Sequence, residues 1–265
     1  MKVPIAVQML LLLTALATAN TFQGDLSHSG NFSSEISGQI IPKLEWKTYI
    51  SGLVGAQPVY SNGKIFVTNW YGWTEWKPGL YVLNANNGEI LKNFSNIQGA
   101  STPFVYGDKV IVGGMKQGRN GYLGYLYIVN LTSEEVKEIL LDEQESWYGI
   151  ASSPIVYDGS IYVLTHSNGT LWKLSLDGYI LGKFTTGGEI NPYTSPVADG
   201  GVICFAGNKR GNAIFCVNEN LQEIFNISVD SKITNTPTLY NDLLIFATEK
   251  SLYFVNVTEK GVIKK

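Results

Sequence analysis

The chain is poor in charge, in histidine and in cysteine, and each shortage excludes something. Only 15% of its 265 residues are Asp, Glu, Lys or Arg, against roughly one in four in soluble domains. No run of Lys or Arg occurs, the net charge is −3 and the pI is near 5.5. That balance excludes an electrostatic nucleic-acid surface. His28 and His166 are the only two histidines, too few and too far apart for a metal centre, so no metal ligands are assigned. Both lie in polar stretches, DLSHSGNFS and HSNGT, where solvated loop positions are expected. No G-x-S-x-G, P-loop or H-E-x-x-H string appears, so no catalytic residue and no cofactor is assigned. Beyond residue 19 no apolar run is long enough to cross a bilayer.

What is present points the other way. Hydrophobic residues make up 45%, aromatics number 32 (11 Phe, 6 Trp, 15 Tyr) and glycines 28. That much apolar surface offsets chain entropy when buried, which excludes disorder and favours a glycine-punctuated β protein. Residues 1–19 carry one basic residue, an apolar run and Ala17-Thr18-Ala19, the layout of a secretory signal cleaved before Asn20. An uncleaved anchor is the alternative; Pro4, Gln8 and the short run weigh against it. The mature chain is expected outside the cell, at its surface or in a periplasm-like space, with 20–42 as an extended leader.

Six Asn-x-Ser/Thr sequons, at Asn31, Asn93, Asn130, Asn168, Asn226 and Asn256, agree with export as glycosylation sites. The competing reading is that Asn and Thr are simply common in β-turns. Cys204 and Cys216 are symmetric about Arg210 in VICFAGNKRGNAIFCV. If the turn is centred there, the two face each other across a hairpin, close enough for a disulfide. Eleven intervening residues are not a redox CxxC spacing; buried free thiols are the remaining alternative.

After residue 40 the chain repeats. AQPVYSNGKIFVT, STPFVYGDKVIVG, SSPIVYDGSIYVL, TSPVADGGVICFA and NTPTLYNDLLIFA align on Pro58, Pro103, Pro154, Pro196 and Pro237. A third β run follows each (LYVLN, LYIVN, LWKLS, IFCVN, LYFVN), and then a fourth. Four short strands per ~40–45 residues is the period of a propeller blade. Asn62-Gly63, Asp158-Gly159 and Asp199-Gly200 are hairpin-turn dipeptides. A proline opening each first strand suits an edge facing a central channel. Apolar residues on both faces of the third strands suit blades packed on each side by a neighbour, whereas a sandwich strand keeps one wet face. The repeats fall near 55–95, 100–141, 150–186, 193–229 and 234–265.

The elements P-x-V-Y-x-x-G-x-I-F-V, then L-Y-x-L-N, then G-E-I-L before an aromatic, resemble the pyrroloquinoline-quinone-type (quinoprotein-like) propeller repeat over residues 43–265. The resemblance implies an all-β propeller, and such repeats serve dehydrogenases, outer-membrane assembly lipoproteins and surface proteins alike. A quinone dehydrogenase of this type would carry adjacent cysteines over a longer chain. A non-catalytic member is therefore expected, with a quinone-dependent oxidoreductase or other small-substrate enzyme as the alternative.

Five four-stranded blades are predicted. Trp46 in LEWKTYI lies 12 residues before Pro58, as Phe184 and Phe225 lie before their next prolines. That segment is expected to act as a fourth strand docked on blade five, closing the ring. GVIKK could fill the same slot, and a ring completed by a partner chain is the other outcome. Connections within strands two–three and between blades should all leave one end of the disc. The longest are Asn69–Gly79, Gly113–Gly124, Asp142–Gly149 and Gly187–Tyr193. They carry Trp70, Tyr71, Trp73, Trp76, Trp147, Tyr148 and Tyr193, with Lys116, Arg119, Glu143, Glu145 and Glu189 among them, and Lys209 and Arg210 of the blade-four hairpin add further cationic groups to that face. Rings with polar tips on rigidly held loops suit a protein or glycan partner. The competing reading is that some of these rings fold inward and cover the blade ends.

Overall fold

Each repeat proline is followed at once by a three-residue strand. Extended geometry before proline and a missing N–H confine it to an edge. The computed structural model describes residues 21–28, 43–72 and 76–264, the last four by backbone alone. The signal at 1–19, most of the leader, Asn31 and Trp73 lie outside the described residues. Twenty strands form five antiparallel sheets in chain order. Blade one is β1 Val59–Ser61, β2 Lys64–Asn69, β3 Gly79–Asn84 and β4 Ile90–Phe94; blade two is β5 Phe104–Tyr106, β6 Lys109–Gln117, β7 Tyr122–Asn130 and β8 Val136–Ser146. Blade three is β9 Ile155–Tyr157, β10 Ser160–Thr165, β11 Thr170–Ser175 and β12 Ile180–Thr185; blade four is β13 Val197–Asp199, β14 Val202–Asn208, β15 Asn212–Val217 and β16 Glu223–Ser228. Blade five is β17 Thr238–Tyr240, β18 Leu243–Ala247, β19 Leu252–Asn256 and β20 Gly261–Lys264. The fold is a five-bladed β-propeller.

The turn chemistry explains the first hairpins. Asn62-Gly63 and Asp158-Gly159 both take positive φ at both positions (50° and 73°, 45° and 68°), as a tight two-residue hairpin requires. In blade four the turn sits one residue later than expected, on Gly200-Gly201. Blade two is the longest sheet. Much of Gly113–Gly124 and the first half of Asp142–Gly149, expected as loops, continue as strands β6, β7 and β8. Only Gly118–Gly121 turns, closed by Gly118 N–H donating to Gly121 O.

Around the axis a chain of hydrogen bonds ties each blade to the next. The residue before each proline lies outside the sheet ladder, so its N–H needs a partner. Gln57 N–H donates to Thr102 Oγ1 (3.0 Å), Thr102 N–H to Ser153 Oγ (3.1 Å), Ser153 N–H to Ser195 Oγ (2.8 Å) and Ser195 N–H to Thr236 Oγ1 (3.1 Å). The fifth step, from blade five to blade one, is replaced. Residues 21–28 lie there, with Gln23 N–H donating to Gln57 Oε1 at 3.1 Å. Ala198 N–H of β13 donates to Leu26 O, and Leu239 N–H of β17 to Ser27 O. Both residues sit mid-strand, opposite Ile203 and Leu244 in non-hydrogen-bonded pairs, so their peptide groups point away from the sheet toward the axis.

The seam between blades five and one corrects the expected closure. Residues 43–50 form no strand, and β20 completes blade five. Trp46 turns instead onto blade one, its Nε1 donating to Ala85 O at 3.0 Å while Thr48 Oγ1 donates to Gly88 O. One apolar core runs through blades two to five, a second joins blades one and two, and a third is confined to blade one and Ile50. None of them spans from blade five to blade one.

Candidate binding face

The long connections gather at one end, where each blade linker bonds to strand two of an adjacent blade or to the residue just after it. Gln98 Nε2 donates to Trp70 O (2.8 Å), Ile150 N–H to Gly114 O (2.9 Å) and Asn208 Nδ2 to Glu189 O (3.1 Å). The aromatics predicted for this end divide into anchors and exposed rings. Trp70 is an anchor: a Cβ on Gly55 would stand 2.9 Å from its Nε1. Trp76 is another, lying so close to Gly72 that a Cβ there would meet it at 2.3 Å. Tyr148 is half-buried, edge-on to both His166 (5.8 Å) and Tyr193 (5.7 Å). The exposed rings are Trp147 at 71%, Tyr193 at 47% and Tyr71 at 39%. Each leans on a partner, Trp147 on Tyr122 at 6.4 Å and Tyr71 on Trp70 at 6.1 Å. No ring contact joins the Trp70–Tyr71 pair to the Tyr148–Tyr193 pair among the described residues.

Several groups that hold this end were not visible in the sequence as such. Asn69 is buried and donates through Nδ2 to Ser51 O (2.6 Å) and Lys77 O (2.8 Å), while its Oδ1 accepts from Gly79 N–H (2.8 Å). A single amide thus shapes both ends of the tryptophan-rich loop. Asp142 is buried and accepts from Ser167 Oγ at 2.7 Å and Gln144 N–H at 3.1 Å. His166 is buried under Tyr148 rather than solvated in its turn. Burial pulls its pKa below the ordinary value, against the nearby Asp142 and Glu189 carboxylates and the Gly149 backbone, which favour the charged form. Burial likewise raises the Tyr193 phenol. Ser167 bonds Asp142 directly, with no histidine between them, so these three side chains are not arranged as a proton relay.

The charged groups of the same end largely hold one another. Glu145 turns inward to cap the blade-two hairpin, accepting from the N–H groups of Arg119 and Asn120. Lys116 pairs with Glu138 and lies 5.1 Å over the Tyr125 ring. Glu189 stands 3.7 Å from Lys232. Lys209 and Arg210 line a shallow pocket at the blade-four hairpin with Phe215 and Asn226. Among the described residues no three His, Cys, Asp or Glu side chains gather as metal ligands would, and no helix is long and apolar enough to cross a membrane.

Cys204 and Cys216 form a disulfide. They stand directly opposite in the β14–β15 register, with Cα atoms 4.2 Å apart, and both are fully buried.

Comparison with known proteins gives a likeness in fold and none in sequence. No family model matches the chain, and no curated protein does. Among solved structures it resembles the crystal structure of BamB from Moraxella catarrhalis, with a TM-score of 0.51 and 13% identity, covering 78% of this chain and 73% of that one. At that identity the likeness bears on architecture alone, and it agrees with the five sheets in placing the chain among β-propellers.

Proposed function

We propose that this protein is an exported, non-catalytic propeller of the quinoprotein-like repeat type that binds a protein or glycan partner through its aromatic end. One observation carries the reading. Trp147, Tyr193 and Tyr71 leave three connections at one end of the blades as exposed rings, each braced by a second aromatic. Braced aromatic rings lose little side-chain entropy on binding and bury large areas, which is why Trp and Tyr dominate contact energies. The buried disulfide supports an oxidising compartment. The BamB-like architecture supports an assembly or binding role by analogy only.

The test is the double variant Trp147→Ala/Tyr193→Ala, used as bait against native envelope extract and on a glycan array. Loss of a captured protein or glycan, at unchanged melting temperature, is expected. Retention of all partners by the double variant removes the aromatic end from the reading. Turnover of a small substrate with quinone and calcium added, and its loss in the same variant, would replace binding by catalysis.

A further inference from the structure

Blade four carries a notch beside its strand-two-to-three hairpin. In the register Ala213 pairs with Ser228 and Phe215 with Asn226, so these four side chains share one face of β15 and β16. That face turns toward blade three, because the Phe215 ring stands 5.9 Å from Phe184 of β12 and 6.1 Å from Phe205 of β14. The same ring lies over Gly207, where a Cβ would collide with it. Small Ala213 beside this braced ring leaves a hollow of about 370 Å³, the scale of a small-ligand site. Phe215 and Ala213 floor it, Asn226 and Ser228 wall it, and Lys209 and Arg210 stand over it.

The charge at this notch is one-sided. Lys209, Arg210 and Gly211 form the tip of the β14–β15 hairpin, closed by the Asn208–Asn212 pair. No acidic side chain lines the hollow, and neither cation forms an ion pair among the described residues. Two carboxylates of the surrounding segments are engaged elsewhere. Glu189 stands by Lys232, and Glu223 accepts from Asn226 Nδ2. The second contact fixes the Asn226 amide and leaves its Oδ1 as the atom that can still accept. Ser228 is exposed, so its hydroxyl is open to a ligand.

We propose that this notch binds a carboxylated saccharide, a uronate-type sugar whose carboxylate sits between Lys209 and Arg210. A guanidinium meets a carboxylate with two parallel N–H bonds, and the lysine ammonium adds a point charge. The Asn226 oxygen and the Ser228 hydroxyl suit ring hydroxyls, and the Phe215–Ala213 floor suits the C–H face of a sugar. An acidic peptide offers the charge without the hydroxyls. Neither Trp147 nor Tyr193 lines the notch, so this site and the aromatic end can each fail without the other. Asn226 also heads a sequon. A glycan attached there would take up the same space, so the site is open in chains that leave Asn226 bare.

Titration of the mature, unreduced chain from a host without N-glycosylation tests this, followed by amide NMR shifts and calorimetry. Trigalacturonate is the probe. Its fully methyl-esterified form (the same ring hydroxyls without the charge), acetate and hexaglutamate are the other arms. Trigalacturonate is expected to shift the Gly211 and Ser228 amides, and the ester and acetate to bind about tenfold more weakly or worse. Lys209→Gln and Arg210→Gln should each weaken trigalacturonate by about tenfold, and Arg210→Lys should not restore it, because the planar fork is lost. Ser228→Leu should block the notch with both cations still in place. Positions 209, 210 and 228 are exposed, and each variant's melting temperature is checked against the parent. Unmoved Gly211 and Ser228 amides overturn the proposal, as does undiminished binding in the Lys209→Gln/Arg210→Gln or Ser228→Leu variant. Ester, acetate or hexaglutamate binding as tightly as trigalacturonate also overturns it, since a carboxylated sugar is then not what the notch selects.

Discussion

The backbone N–H of Gln23 donates to Oε1 of Gln57 at 3.1 Å, the one place where the inter-blade hydrogen-bond chain takes its donor from outside the repeats. Thr102, Ser153, Ser195 and Thr236 hold the equivalent position before their prolines and each accepts from the blade before. Gln57, two bonds longer, reaches past that geometry to the N-terminal segment. The segment in turn takes the axial N–H groups of Ala198 and Leu239.

Replacing Gln57 with Ala is therefore expected to loosen residues 21–28 without unfolding the blades. A neutral hydrogen bond of this kind contributes about 1 kcal/mol net, or roughly fivefold in a local opening equilibrium. Amide exchange at Ala198 and Leu239 should accelerate by about that factor, with exchange in β10 and β11 unchanged. Thr102→Ala gives the contrast. It strands the buried-side N–H of Gln57 between two blades and should lower global stability by about 1–3 kcal/mol. Equal, global effects from both variants would show that the segment is part of the cooperative core.

Acid should release the same segment. His28 is only 1% exposed and its ring is edge-on to Phe22 at 5.1 Å. Burial pulls its pKa down to about 4, against Asp25 and the Pro237 carbonyl, which favour the charged ring. The unfolded chain binds that proton near pH 6.5 and the folded chain only near 4, so stability is full above about 6.5 and falls as pH drops through that window. The stake is on the order of 3 kcal/mol. His166 is shifted in the same direction and adds to the slope. Urea midpoints from pH 7 to 4 measure it, and His28→Phe should flatten the curve; an unchanged slope would place the acid sensitivity elsewhere.

Much of this architecture was legible because blades are local. Pro58, Pro103, Pro154, Pro196 and Pro237 each precede a first strand, and Asn62-Gly63 and Asp158-Gly159 turn as their φ tolerance requires. The cysteine pairing followed from hairpin symmetry alone. What stayed hidden depends on neighbours. Ile245 and Phe254 of blade five are the same residue types as those fully packed in blades three and four, so composition cannot reveal that these two are only half-buried. The stretch DLSHS reads as solvated because its side chains are polar, yet it is held through the carbonyls of Leu26 and Ser27, which every residue possesses. Trp46 matched the spacing of Phe184 and Phe225, but its indole finds Ala85 O on blade one. At the aromatic end, loop membership was readable, whereas the division into braced anchors such as Trp70 and exposed rings such as Trp147 required the packing of Gly55 and Tyr122.

The disulfide should matter for stability and resist reduction in the native state. Both sulfurs are buried, and the bridge closes a loop with a sequence separation of 12. On chain-entropy grounds such a loop is worth about 3 kcal/mol. Alkylation without reductant should label neither cysteine, and mild reductant should act only under partial denaturation. The double variant Cys204→Ala/Cys216→Ala is expected to fold with a lower urea midpoint. Ready labelling of both thiols in the native, unreduced protein would refute the bridge.

The sequons are not equivalent acceptors, and their environments rank them. Asn168 and Asn226 are exposed, one in the turn between β10 and β11 and the other on the outer strand β16, where its Nδ2 donates to the exposed side chain of Glu223 but its Oδ1 is not tied to a turn as that of Asn130 is. Asn93 presses on Gly79 so closely that a Cβ there would fall 1.7 Å from its Oδ1, and that oxygen is buried without a partner. Asn130 spends its Oδ1 on the N–H groups of Thr132 and Ser133 and its Nδ2 on Asp108, and Asn256 accepts from Glu259 N–H. In a glycosylating host, glycopeptide mapping should find sugar on Asn168 and Asn226 and none on Asn93, because a glycan added there before folding would hold Asn93 off Gly79 and open blade one. Occupied Asn93 in folded protein, or bare Asn168 and Asn226 beside it, would reverse the ranking. The Asn168 position carries a further consequence. It lies in the turn that holds His166 beneath Tyr148, beside Tyr193, so a glycan there crowds the aromatic end. Enzymatic deglycosylation or Asn168→Gln should therefore strengthen partner capture through that end, while Asn226→Gln leaves it unchanged.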